Sequence, residues 1–389
     1  MGECLTSPEQ IYFTKDHQMV RKAVKAFVDG EINPYMDAWE ENGQTPLHEL
    51  FKKMGDLGFL GIRYDPAYGG EGLDYWHELA FLEEMGHVKG LGLPMAVAVQ
   101  THMATPAIHE FGSDVLKEKY LRPAIAGEMV SAIAVTEPNA GSDVAALQTT
   151  AVRDGQEYVI NGSKTYITNG TQADFLTLLA RTDDAPGHHS FSLFVVPTNL
   201  PGFEVSRKLD KIGWYSSDTA ELFLDNMRIP ADHLIGQEGE GFIYQMQQFQ
   251  HERFTAMPLA YTASQDIINM TVAHIKNRIV SGKPLTAKQV LRHRIADWLT
   301  EIEALRQFTH HVTYMKAADL DVTREVSMGK LYGARLLQKV ADGCLQMYGG
   351  LGCMNEMLIS RYCRDARILS IGGGADEVMC DIIAKVEGY

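Results

Sequence analysis

The sequence predicts an α+β fold in three consecutive parts: a helical N-terminal domain over 1–130, a central antiparallel β-domain over 131–235 and a helical C-terminal bundle over 236–389. Three observations carry this. Apolar residues recur at helical spacing through the first third, and short β-branched and aromatic runs separated by turns replace them in the middle. Three very long periodic stretches then close the chain. At 389 residues the chain exceeds what one simple core supports, which agrees with several domains.

In the first part, residues 15–28 place Met19, Val20, Ala23, Val24 and Phe27 on one helical face. Thr45 followed by Pro46 predicts the cap and first turn of a helix through Leu50, Phe51 and Met54, ending by Gly58. The run Tyr68-Gly69-Gly70-Glu71-Gly72 predicts a turn, and Ala80, Phe81 and Met85 another buried face. Residues 95–103 carry few charges and read as wall material. Ser113-Asp114 predicts a cap for a helix over 115–125.

The middle part reads as strands at 131–135, 147–152, 157–160, 175–180, 191–196 and 220–224, with Ile229-Pro230 closing the section. Asp154-Gly155 and Asn161-Gly162 predict hairpin turns. The gaps are turns rather than crossover helices, so an antiparallel sheet follows. In the last part, helices are predicted over 240–276, 286–317 and 321–347. Thr286 with Gln289 has the capping-box pattern, and Tyr348-Gly349-Gly350 stops the third helix. Helices of such length imply an antiparallel bundle or an oligomeric helical core.

Composition excludes several classes. A formal net charge of -15 gives no support for nucleic acid or an anionic membrane as partner. No apolar run reaches membrane-spanning length, so no membrane insertion is expected. The start Met1-Gly2-Glu3-Cys4-Leu5-Thr6 lacks a basic segment followed by an apolar one and is a weak match to a myristoylation signal. The five cysteines form no CxxC pair and the histidines are dispersed, so a reducing, cytoplasmic setting and no metal are expected. Gly69-Gly70-Glu71-Gly72 lies in the wrong context for a dinucleotide fingerprint. Gly236-Gln237-Glu238-Gly239-Glu240-Gly241 has its glycines at the wrong intervals. No P-loop or HExxH occurs.

Two polar clusters remain. In Ala134-Val135-Thr136-Glu137-Pro138-Asn139-Ala140-Gly141-Ser142-Asp143 a strand delivers Thr136 into a glycine-bearing turn, which suits an electron-rich ring edge or a phosphate. A capped turn that satisfies its own backbone explains the same residues. Tyr166-Ile167-Thr168-Asn169-Gly170 offers an aromatic platform and a hydroxyl before a tight turn. Tyr and Thr also simply favour strands.

The order of these motifs resembles the acyl-CoA dehydrogenases over nearly the whole chain. Residues 134–143 are similar to that family's first signature, and Tyr158-Val159-Ile160-Asn161-Gly162-Ser163-Lys164 through Gly170 to its β-domain motif. Arg278, Gly282-Lys283-Pro284-Leu285 and Gln289 are similar to the start of its C-terminal motif. Gln346-Met347-Tyr348-Gly349-Gly350-Leu351-Gly352 and Arg364-Asp365-Ala366-Arg367 are similar to its second signature region. The resemblance implies FAD as cofactor and a C-terminal four-helix bundle. Thr136 would meet the flavin's pyrimidine edge, Ser142 its pyrophosphate, Tyr166 one face of the ring and Thr168 the neighbourhood of N5. Arg278 and Gln289 would reach FAD across a subunit boundary, and Gln346, Gly349 and Gly350 would hold the adenosine half. Ser281 and Ala375 depart from the family's usual Phe and Thr.

Most members carry the catalytic glutamate in the loop after the Arg-Asp-Ala signature. The equivalent position here is Gly373, within Ile371-Gly372-Gly373-Gly374-Ala375, which has no carboxylate. Members resembling the long-chain and isovaleryl enzymes carry it instead on a C-terminal-domain helix, and the equivalent residue is Glu252 in Phe249-Gln250-His251-Glu252-Arg253-Phe254. Helical geometry points the same way: Phe249, Glu252, Ala256 and Leu259 share a face, so Glu252 emerges on an apolar surface. A pair with Arg253 is unnatural, because adjacent helical residues diverge. Glu137 is expected to be structural. Asp376 and Glu377 lie three and four residues past the vacant position, and Glu377 falls where the family places a polar contact near the flavin.

The implied reaction is α,β-dehydrogenation of an acyl-CoA to trans-2-enoyl-CoA, as in β-oxidation, with Glu252 taking the α-proton and FAD N5 the β-hydride. Arg253, Val99 and Gly373 are expected to line the substrate. The small Ala96 and Ala98, with Val99, suggest a deep apolar cavity for a long-chain or methyl-branched acyl group. Electron-transfer flavoprotein as acceptor and a homotetramer are implied by the resemblance. An oxidase-like enzyme passing electrons to oxygen is the alternative, disfavoured by a length that leaves no room for a further C-terminal domain. An inactive FAD-binding scaffold is a second.

Overall fold

The computed structural model describes residues 11–183 and 187–389. The start of the chain, with Met1-Gly2 and Cys4, lies outside them. The N-terminal domain comprises α1 (Lys15–Phe27), α2 (Met36–Asn42), α3 (Leu47–Gly55), α4 (Tyr75–Met85), α5 (Gly92–Ala98), α6 (Pro106–Phe111), α7 (Asp114–Leu116) and α8 (Arg122–Ile125). Ser113 caps α7 as its sequence predicts, accepting from Leu116 N at 3.3 Å. Thr45 does not cap α3. It is buried without a hydrogen-bond partner for its hydroxyl, and Pro46 occupies the cap position. Its backbone N–H is instead drawn to Ser216 O at 2.9 Å in the next domain.

Asp74 caps α4 by accepting from the backbone of Trp76 and His77, each at 3.0 Å. With His17 and His77 it forms a cluster of metal-like spacing. The three are joined to one another: His17 Nδ1 accepts from Thr14 N at 2.9 Å, which turns its Nε2–H toward Asp74, and His77 Nδ1 lies 2.7 Å from the same Asp74 oxygen.

The middle domain holds β1 (Ser131–Ala134), β2 (Thr150–Asp154), β3 (Glu157–Thr168), β4 (Phe175–Arg181), β5 (Phe191–Pro197), β6 (Phe203–Lys208), β7 (Thr219–Pro230) and β8 (Leu234–Ile235). They form one sheet in the order β6-β7-β3-β2-β4-β5-β8, with β1 paired to β4. The expected antiparallel pattern holds except at β4, which meets β1 and the end of β2 in parallel. After β1 the chain leaves the sheet through the loop that carries Thr136 and Ser142, so β1 returns to no hairpin partner.

Asp154-Gly155 does make the β2–β3 hairpin, with Asp154 opposite Glu157 and Gly155 at φ 65°. Asn161-Gly162 does not turn. Strand β3 runs through it with a bulge, and a Cβ on Gly162 would collide with Thr149, so the glycine serves a close approach instead. A second irregularity between Lys164 and Ile167 sets Tyr166 at φ 60°.

The C-terminal domain contains α9 (Gly241–Asn277), the hairpin β9 (Ile279–Val280) and β10 (Lys283–Pro284), then α10 (Gln289–Ala317), α11 (Thr323–Tyr348), α12 (Leu358–Leu369) and α13 (Asp376–Val386). Helices α9 to α12 pack as the four-helix bundle, with α13 against α11. The capping box expected at Thr286 and Gln289 is absent: Lys288 precedes the first turn of α10, and Gln289 turns to His293 at 3.2 Å. Among the described residues no helix is long and apolar enough to cross a membrane.

Glycines let α11 close on α9. A Cβ on Gly329 would collide with Met257, and one on Gly333 would lie 3.2 Å from Ala260 Cβ. Asp365 of α12 joins all three domains. Its buried carboxylate accepts from Leu91 N at 2.9 Å and Trp214 N at 2.6 Å.

Candidate active site

Glu252 stands midway along the N-terminal half of α9, half-buried, with Phe254 and Met257 of the core behind it. Its carboxyl faces the loop between α12 and α13. A Cβ built on Gly373 would lie 2.8 Å from Glu252 Oε1, and Gly373 and Gly374 adopt φ of 67° and 96°. The loop is pinned by Gly372 N to Ile368 O at 2.9 Å, Asp376 N to Ser370 O at 3.1 Å and Lys330 Nζ to Gly374 O. Burial raises the proton affinity of Glu252, against smaller opposing pulls from Arg253 and Lys330.

Among the described residues Glu252 and Arg253 form no ion pair, but both reach the glycine loop: a Cβ on Gly374 would lie 3.9 Å from Arg253 Nη2. The buried guanidinium of Arg253 lies 5.7 Å from the centre of the Phe249 ring, and its Nε has no hydrogen-bond partner. The other nearby acids are turned away: Asp376 pairs with Arg335 at 3.0 Å and Glu377 is exposed.

The β-domain motifs gather at one end of the sheet. Thr136 O accepts from Thr165 N at 2.9 Å, which ties the loop after β1 to β3. Glu137 is structural, as expected. Its carboxylate accepts from Gln148 N at 2.7 Å, Thr149 N at 2.9 Å and Lys164 Nζ at 2.8 Å. Lys164 also donates to Val135 O at 3.0 Å and Leu179 O at 2.8 Å, so the buried ammonium is fully satisfied. This lattice holds Thr136 in place. Tyr166 is 69% exposed, Thr168 half-buried and Ser142 exposed.

Arg278, Gln289, Gln346, Gly349 and Gly350 all lie exposed on the bundle. Ser281, the first departure, forms the tip of the β9–β10 hairpin with Gly282, at φ 51° and 76°. Such a two-residue turn needs positive φ at both positions. Among the described residues no hydrogen bond or ion pair joins this group to Thr136, Tyr166 or Thr168.

Three family models divide the chain between them: the acyl-CoA dehydrogenase N-terminal domain over 14–128, the middle domain over 132–227 and the C-terminal domain over 239–387. The chain belongs to the acyl-CoA dehydrogenase family. It is 34% identical over 374 residues to a probable acyl-CoA dehydrogenase of Bacillus subtilis (strain 168), covering 96% of this chain and 98% of that one. It is 35% identical over 376 residues to the mitochondrial long-chain specific acyl-CoA dehydrogenase of Sus scrofa, covering 96% and 86%. A probable acyl CoA dehydrogenase from Mycobacterium abscessus superposes with a TM-score of 0.93 at 40% identity, covering 97% and 100%. A glutaryl-CoA dehydrogenase from Mycobacterium smegmatis, solved in complex with FADH2, superposes with a TM-score of 0.91 at 29% identity, covering 98% and 96%.

The family is FAD-dependent, and this acyl-CoA dehydrogenase has residues that suit the cofactor. Tyr166 presents a broad aromatic surface, Asn169 Oδ1 and Trp214 Nε1 are buried without partners, and a Cβ on Gly349 or Gly350 would meet open space. Sequence reasoning missed Asn169, Trp214 and His274. Asn169 at φ 64° donates to Ala96 O at 3.0 Å and Ser131 O at 3.2 Å, binding α5 to β1. Trp214, at φ 56°, has its ring within 3.8 Å of where a Cβ on Gly372 would sit. His274 stacks on Tyr348 at 4.1 Å beside Arg278. Only the positive φ of Asn169 had a sequence hint, its place before Gly170.

Val99 is buried with Ala98 and Met103 against Met95 and Ile133. One turn on, Thr101 and His102 line a chamber of about 40 Å³ with Arg63, Glu78, Glu110 and His251. Phe59, Leu60, Ile62 and Phe81 supply the apolar part of its lining.

Proposed function

We propose that this acyl-CoA dehydrogenase uses Glu252 as the base that removes the α-proton of an acyl-CoA thioester, giving the trans-2-enoyl-CoA. The observation that carries this is the approach of Glu252 to Gly373. The helix-borne carboxyl fills the space that a side chain on that loop residue would enter. An α-proton beside a thioester is a very weak acid, so its base must be desolvated and close to neutral in affinity. The burial of Glu252 supplies the first and drives the second.

Bound FAD supplies the acceptor for the β-hydride. Thr136, Tyr166 and Thr168 would hold its ring and Ser142 its pyrophosphate. Arg278, Gln289, Gln346, Gly349 and Gly350 would reach the cofactor of a neighbouring copy, which a homotetramer provides. Their exposure on the bundle supports that reading. Arg253, with a buried Nε lacking a partner, would face the thioester end of the substrate. Val99 would form part of the acyl wall. With no side chains at Gly372, Gly373 and Gly374, the site suits a long or methyl-branched acyl group, and electron-transfer flavoprotein would take the electrons on.

The test is Glu252→Gln. Flavin content and folding should be retained while anaerobic bleaching by substrate slows by roughly 10²- to 10⁴-fold, the span a positioned base contributes. Normal bleaching by that variant ends the reading. Screening straight-chain esters from short to long beside methyl-branched ones fixes the substrate class.

A further inference from the structure

The geometry points to Lys330 as a positioning residue for the proton step: from α11 its ammonium holds the glycine loop that faces Glu252 and stands near enough to act on that carboxyl. The inference rests on Glu252 being the base.

Lys330 is 1% exposed, and its ammonium donates to the carbonyl of Gly374. That carbonyl follows the peptide of Gly373, whose α-carbon faces Glu252. The close approach of α11 to α9 at Gly329 and Gly333 is what lets a lysine between them reach the loop. Residues with φ of 67° and 96° have few intrinsic reasons to stay in one conformation, because glycine is the most permissive residue. An anchored carbonyl restricts them.

The charges around the pair are few. Glu252 feels Arg253 on its own helix and Lys330 from α11. Lys330 in turn faces Glu252 and Arg253 on α9, and Asp376 and Glu377 at the start of α13. Asp376 is already paired with Arg335 and Glu377 is exposed. Burial lowers the lysine to about 8. A cation there opposes the desolvation that raises Glu252 and favours its ionised, proton-accepting form.

The experiment compares Lys330→Met, Lys330→Gln and Lys330→Arg as FAD-loaded enzymes. It follows anaerobic flavin reduction against pH with whichever straight-chain saturated acyl-CoA reduces the wild type fastest. Loss of the cation should move the rising limb up by roughly half a pH unit or more in both Met and Gln variants, while Arg stays close to wild type. Should the Met variant fail to fold, the Gln variant, which keeps a donor for Gly374, makes the same comparison. A purely structural lysine would lower thermal stability without moving the limb. An unmoved limb in the Met or Gln variant overturns the inference while leaving Glu252 as base, provided Glu252→Gln has lost reduction. Full reduction by Glu252→Gln sinks the base reading instead.

Discussion

Glu252 and Gly373 meet from opposite directions, one on a helix and one on a loop, with 2.8 Å between Glu252 Oε1 and the point where a Cβ on Gly373 would lie. Two positions 121 residues apart in sequence therefore serve one volume. A carboxylate can be delivered there along either route, but both routes cannot be filled at once.

This exclusion predicts the behaviour of Gly373→Ala. Its Cβ would press on the base, and φ of 67° is strained for alanine, so stability should fall by about 1–3 kcal/mol. In a Glu252→Ala background the steric part disappears and the backbone part stays. A denaturation double-mutant cycle should therefore show coupling between the two sites. Glu252→Ala with Gly373→Glu should regain part of the flavin reduction lost in Glu252→Ala alone, limited by that backbone strain.

The pH dependence follows from the raised proton affinity of Glu252. Proton abstraction needs the ionised form, so flavin reduction should rise with pH through the raised folded value and then level off. Stability runs the other way. The neutral form is favoured in the fold, so stability present below the ordinary carboxylate value is lost as pH climbs to the folded one. The loss is about 1.4 kcal/mol for each pH unit by which burial raises the carboxyl. Glu252→Gln should thus raise the melting temperature at neutral pH and leave it unchanged near pH 4.

Asp365→Asn tests the three-domain joint. The amide keeps one acceptor oxygen for two backbone donors, Leu91 N and Trp214 N, and leaves one buried N–H unpaired. Chemical denaturation should report a loss of about 1–3 kcal/mol. A shift in tryptophan emission should accompany it, since Trp214 loses its anchor.

Lys164→Met should be worse than the joint change Lys164→Met with Glu137→Gln. The single variant strands a buried carboxylate that keeps only two backbone donors, at a cost of about 3–5 kcal/mol. The double variant removes the charge as well. Urea midpoints give the comparison, and FAD retention should track them because Thr136 hangs from the same lattice.

Some elements could be read from local pattern. The long helices α9, α10 and α11 appear where apolar period and glycine stops place them, and the Asp154-Gly155 hairpin turns as its dipeptide requires. Other local signals were overruled. Asn161-Gly162 became a bulge because β3 pairs with β7 on its other side, and a ladder on both edges outweighs a turn dipeptide. Thr45 gave up its cap when its backbone N–H paired with Ser216 O across a domain boundary. Strand β6 escaped notice because its residues are mostly polar and exposed, which erases the alternation that marks a strand.

By itself the sequence determined the three-part order of helix, sheet and helix, because periodicity, turn chemistry and motif order are local or linear properties, while the resemblance to the family set Glu252 of α9 against a vacant Gly373. Only the tertiary structure decided that these two residues share one volume. It also decided that Lys330 ties the loop beside them and that Asp365 holds Trp214 and Leu91 together. The reason is physical: such contacts depend on how closely packed helices approach and which backbone groups burial leaves to be paired, and neither is written in the spacing of residues along one chain.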